Sequence, residues 1–112
     1  MNYSLHKDIP ETDERQPIWA KQREERGFDD TELWALDITI VKFILPRLKL
    51  FRERLISFPP SITFEEWKSI LQKMIDGFEE YERRDEHPLD WDTKKIDEGM
   101  KLFVEYFHDL WD

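Results

Sequence analysis

Apolar residues recur at Trp67, Leu71, Met74, Phe78 and Tyr81, stepping by four, three, four and three. That period puts them on one face of a helix. Just before it, Thr63 is followed three residues later by Glu66, the spacing of a capping box. The Thr63 hydroxyl can accept from the Glu66 N–H while the Glu66 carboxylate reaches back to the Thr63 N–H, with Ile62 and Trp67 at the staple positions. Pro59 and Pro60 hold the preceding chain extended. A second helix is predicted from Asp92 to about Trp111, because Ile96, Met100, Phe103, Phe107 and Leu110 repeat the same rhythm. Asp92 or Thr93 would cap it, and Leu102, Tyr106 and Trp111 would widen its stripe. Gly99 inside it costs ~1 kcal/mol of helix propensity relative to Ala, which a close helix–helix approach would explain.

A third, central helix is predicted from the Asp30 cap. Its segment 33–45 has ten apolar residues in thirteen. Only Thr39, Lys42, Pro46, Lys49 and Glu53 form a narrow polar stripe, so nearly everything else is expected to be buried. The stripe Val41, Ile44, Leu48, Phe51 and Leu55 keeps its phase through Pro46, which favours a kinked continuous helix over two separate ones. Asp37 lies in phase with that stripe and is therefore a buried polar candidate. A buried carboxylate must be paired, hydrogen-bonded or protonated. The basic residues Lys42, Arg47, Lys49, Arg52 and Arg54 gather toward the helix end, where they complement its dipole.

Residues 1–27 are rich in charge and contain Pro10 and Pro17. They read as an arm with a short helix at 17–26, Pro17 in its first turn and Gly27 ending it. Ile18, Trp19 and Phe28 are expected to cover the central helix. The expected architecture is thus an all-α three-helix bundle over 28–112, with a long Pro-kinked central helix and an N-terminal arm. The segment 82–91 is a polar connection of ordinary length.

Composition narrows the chemistry. Of 112 residues, 38% are charged, against ~25% in an average domain. The 14% aromatic content argues against a disordered chain. With no cysteine there is neither disulfide nor thiolate ligand, and three glycines cannot supply the usual phosphate loops. No apolar run is long enough for a membrane span. The net charge is −9, and residues 85–112 carry nine acidic against three basic side chains. This disfavours direct nucleic-acid binding and suits a basic partner. Asp85, Glu86, Asp90, Asp92, Asp97, Glu98, Glu105 and Asp109 form the candidate acidic interaction surface.

His6, His87 and His108 show no paired metal-ligand spacing, and the 85–92 loop lacks the EF-hand order, so no metal or other cofactor is expected. Ser4, Ser57, Ser61 and Ser69 sit in no nucleophile elbow. Asp29-Asp30, Glu65-Glu66 and Glu79-Glu80 offer paired carboxylates, two of which fit helix starts or a solvent face. The aromatic stripes fit core positions better than a ligand box.

The string Gly27-Phe28-Asp29-Asp30-Thr31-Glu32-Leu33-Trp34-Ala35-Leu36-Asp37, then Ile44-Leu45-Pro46-Arg47-Leu48-Lys49, Phe58-Pro59-Pro60, Glu66-Trp67, Met74-Ile75, Gly99-Met100-Lys101-Leu102-Phe103, Tyr106-Phe107 and Leu110-Trp111, resembles small uncharacterised helical proteins of tailed bacteriophages and prophages. The resemblance covers about residues 27–112, implies a setting in bacterial cytoplasm and carries over no functional residues. Of three functions the sequence favours the first, because it asks for no unseen chemistry, with the other two as alternatives. The first is a non-enzymatic phage-type accessory protein acting by protein contact. The second is an acidic inhibitor of a host defence nuclease that mimics nucleic acid. The third is a small enzyme or ligand carrier with a pocket near Asp37. Because the central helix is more apolar than a bundle requires, either the arm or a second copy of the chain would cover it.

Overall fold

In the computed structural model the described residues are residue 5 and residues 8–84 and 89–111. Every regular element among them is helical: α1 (Gln16–Arg26), α2 (Thr31–Trp34), α3 (Leu36–Glu53), α4 (Phe64–Arg83), α5 (Thr93–Glu105) and a 3-10 turn at Phe107–Asp109. The chain forms two compact units, Met1–Phe43 and Ile44–Asp112, divided within α3. Asp85, Glu86 and His87 of the polar connection, and His6 of the arm, lie outside the described residues.

In the first unit, α1 starts where Pro17 suits a first turn. It ends at Gly27, whose φ of 88° is left-handed and whose N–H donates to the Arg23 carbonyl at 2.9 Å. Of the three apolar residues expected to serve as cover, only Trp19 is buried; Ile18 and Phe28 are exposed. The helix expected to run on from Asp30 is broken at Ala35 (φ −138°, ψ 78°), which separates α2 from α3. The break is bridged by the Thr39 hydroxyl, which donates to the Glu32 carbonyl at 2.7 Å. Thr39 is therefore buried, although its place on the polar stripe suggested exposure.

α3 then runs through Pro46 without interruption. Its buried residues are Ile38, Val41, Leu45 and Leu48. That line is rotated from the expected stripe, with Ile44 and Phe51 at its margin and only partly covered. The opposite side, Leu36, Ile40, Phe43 and Leu50, is exposed. A helix that is apolar nearly all round carries too little contrast to fix which face turns inward.

In the second unit, α4 and α5 run antiparallel as closely packed partners. The capping box forms at the start of α4: Glu66 N–H donates to Thr63 Oγ1 and Thr63 N–H to Glu66 Oε1, both at 3.1 Å. Asp92 caps α5 by accepting from Lys95 N–H at 3.1 Å. Trp67, Leu71, Met74, Ile75 and Phe78 of α4 are buried, as is Ile96 of α5. Edge-to-face contacts join Phe78 to Phe103 at 5.2 Å and Phe103 to Phe107 at 5.5 Å, and Trp67 meets Tyr106 at 5.6 Å.

Gly99 faces Gly77, and a Cβ built on either would lie 2.9 Å from the other's Cα. The close approach expected at Gly99 is therefore present, with Gly77 as its other half. α5 ends at Glu105, earlier than periodicity suggested, and beyond it Phe107 and Trp111 are exposed. On the α3 side, Lys49 pairs with Glu79 at 3.2 Å, and Arg52 Nε donates to the Lys68 carbonyl at 3.1 Å.

Candidate functional site

Two features of the first unit stand apart from ordinary packing: a buried ionic corner and a half-exposed apolar face. The corner lies between α1 and α2. Asp29 is fully buried and Glu32 nearly so. Arg23 Nη1 donates to Asp29 Oδ2 at 2.6 Å, and its side chain is only 9% exposed. The Asp29 Oδ1 atom accepts from Thr31 N–H at 2.9 Å and from the Thr31 hydroxyl. Glu32 Oε2 accepts from the Asp29 N–H at 2.7 Å.

Burial alone would raise the Asp29 carboxyl, but hydrogen bonds from Thr31 and Arg23 outweigh it and hold the group below the usual carboxylate range. Asp30, the expected cap, makes no capping bond. It binds Arg26 Nη2 at 2.7 Å and Gln22 Nε2 at 2.9 Å, and its carboxyl is lowered by these two partners. Asp29 thus takes the role expected of its neighbour. An acid held ionised by a buried guanidinium and a hydroxyl is a poor proton donor, so this corner shapes the chain and is not suited to general acid catalysis. The sequence signal for it was the acid pair itself, with Arg23 six residues earlier, but nothing in the spacing said which acid turns inward.

Asp37, expected on the core face, is exposed in the first turn of α3. The inward line runs through Ile38 and Val41, which rotates Asp37 off the core. The residues beside it define the second feature. Leu36, Ile40 and Phe43 form one α3 face, and Leu33 and Trp34 precede it in α2; these five are 44–60% exposed. Trp34 stands edge-to-face on the buried Trp19 at 5.8 Å, with the Arg15 guanidinium 5.6 Å from its ring, and this fixes the indole in place.

The acidic residues of the second unit are less of a unit than their number suggests. Asp90, Asp92, Asp97, Glu98 and Glu105 are exposed, and Asp109 is half-buried in the 3-10 turn. Asp92 is occupied as a cap, and Glu98 pairs with Lys73 at 3.2 Å. Along α5, Lys94, Lys95 and Lys101 alternate with Asp97, Glu98 and Glu105. Local charge is thereby offset where a phosphate-like row would need it unbroken.

Glu80 is a further carboxylate whose place differs from its sequence setting. It is buried, not on a solvent face. Its Oε1 accepts from Arg83 Nη2 at 2.8 Å and from Asp92 N–H at 2.9 Å, and these bonds hold its carboxyl down at about 2. Arg83 also donates to the Asp90 carbonyl at 2.8 Å, so the pair ties the end of α4 to the start of α5.

Among the described residues there is no group of three or more His, Asp or Glu suited to a metal ion. No described helix is long and apolar enough to cross a membrane. No protein-family model, curated protein or solved structure matches the chain.

Proposed function

We propose that the protein is a non-enzymatic accessory protein that works by protein–protein contact, through the apolar face of Leu33, Trp34, Leu36, Ile40 and Phe43. One observation carries this reading: five large apolar side chains lie half in solvent on neighbouring turns of one unit. Single exposed apolar residues are ordinary, but a run of this kind marks an interaction surface. Trp and Phe are also the residue types that dominate binding energy when an interface covers them. The buried carboxylates fit this role, since Asp29 and Glu80 are committed to arginines and backbone. The phage setting implied by the sequence resemblance makes the bacterial cytoplasm the place to look for the contact.

A photoreactive residue at Phe43, compared with one at Lys94 on α5, tests the proposal. Adducts formed in cells from position 43 and not from 94 are the expected result. Equal labelling at both positions, or none at 43, would refute a role for this face. Nucleic-acid mimicry is the weaker reading because lysines interrupt the acidic row on α5.

A further inference from the structure

We infer that the occupant of this face is a second copy of the same chain, docked about a twofold axis. The inference rests on the protein-contact reading above and specifies its partner. Area is the first argument. Leu33, Trp34, Leu36, Ile40 and Phe43, at 44–60% exposure, present on the order of 500 Å2 of side-chain surface per copy, given ~150–250 Å2 for a whole aromatic. A stable interface takes about 800 Å2 from each partner. Homodimer interfaces are about 65% apolar, so each half needs roughly the apolar area this face supplies. A twofold contact uses the same patch twice and then closes, leaving none of it exposed.

Charge is the second argument. Between Leu33 and Phe43 the only ionic residues are Asp37 and Lys42, and the Arg15 guanidinium stands 5.6 Å from the Trp34 ring, so the face carries no excess of acid in a chain of net charge −9. A face meant for a basic partner would carry acids. A face meant for its own copy must keep like charges away from the contact, since their juxtaposition is destabilising. The remaining repulsion between two acidic copies then acts from the periphery, where salt screens it over about 8 Å at physiological ionic strength. Self-association through this face should therefore strengthen as salt rises, opposite to the behaviour of a charge-driven complex.

Sedimentation equilibrium on the full chain tests the inference. The expected mass is twice 13.8 kDa at high concentration, with a dissociation constant that falls as sodium chloride is added. Ile40→Glu should weaken the dimer at least about tenfold, equivalent to ~1.4 kcal/mol, because it places charge in the contact. Val104→Glu, at an exposed α5 position, should leave the dimer intact. Both substituted residues are exposed, so helical circular dichroism should be preserved in each variant. A mass of 13.8 kDa at every concentration and salt overturns the inference, as does a dimer that Ile40→Glu leaves unchanged. If the chain is monomeric but position 43 crosslinks to a different protein, self-docking falls while the protein-contact reading stands. If it is monomeric and position 43 forms no adduct, both fall.

Discussion

The α4–α5 pair and the α2–α3 segment are both rich in large apolar residues, yet they use them differently. On α4 the apolar residues are confined to one face, and Trp67, Leu71, Met74 and Phe78 are all buried. The helices come close enough at Gly77 and Gly99 for glycine to be required on both sides. Across the first unit's part of α3 the apolar residues encircle the helix. Ile38 and Val41 are buried while Leu36, Ile40 and Phe43 face solvent. Burying one face is enough to stabilise a helix within its fold. The other face adds little to the stability of the chain itself and becomes available for association.

The largest expected effect separates the two regions most clearly. Trp67→Ala should cost about 3–5 kcal/mol of unfolding free energy in urea, since it empties a fully buried site. Phe43→Ala, half exposed, should cost well under half as much when measured at concentrations where the chain is monomeric. Equal losses would mean that Phe43 belongs to the core and would break the comparison.

The ionic corner of the first unit should rank next. Asp29→Ala leaves the buried Arg23 guanidinium without its carboxylate, and Arg23 Nε already has no hydrogen-bond acceptor among the described residues. Removing one partner of a buried pair typically costs about 3 kcal/mol or more. Denaturation of Asp29→Ala beside Asp30→Ala would sharpen the point, because Asp30 is half-exposed and its loss should cost clearly less than that of Asp29.

Gly99→Ala should then cost about 1–3 kcal/mol by overpacking, because the new methyl would meet the Lys73 carbonyl at 2.8 Å and the Gly77 Cα at 2.9 Å, both backbone. An Ala at this position that stabilises, as propensity alone would have it, would show that α4 and α5 can part without loss.

The smallest effect concerns pH. The Glu80 carboxyl is held at about 2, below its ordinary 4.5, by Arg83 and the Asp92 N–H. A group lowered by folding stabilises above its unfolded value and loses that contribution as pH falls toward its folded one. The wild type should therefore lose stability between about pH 4.5 and 2, and Glu80→Gln should show a shallower decline across that window. Identical slopes in parallel thermal melts would show that Glu80 gains nothing from its partners on folding.

The legibility of these regions in the sequence follows the same division. The spacing on α4 and the Thr63 and Glu66 pair marked both its start and its inward face, because a single apolar stripe leaves one orientation open. Gly27 and Gly99 carried their meaning in the sequence, one as a helix stop and the other as a close approach. The end of α5 at Glu105 was not visible, since no glycine or proline follows and Phe107 and Leu110 prolong the rhythm. The break at Ala35 was hidden for the same reason: Trp34, Ala35 and Leu36 hold no breaker, and the Thr39 hydroxyl that bridges to Glu32 lies beyond the break.

The order of apolar and polar residues by itself determined that this chain is helical, where α4 begins, and that α4 and α5 each present one apolar stripe. Those outcomes depend on neighbours three and four positions away, which the sequence states directly. Only the tertiary structure decided that Asp29 and not Asp30 turns inward, that Asp37 stays outside, and that Leu36, Ile40 and Phe43 are about half exposed. Each of these is a choice between nearly equivalent neighbours. Such choices turn on partners from a neighbouring element, such as the Arg23 guanidinium of α1, and on which of two similar faces the packing leaves in water.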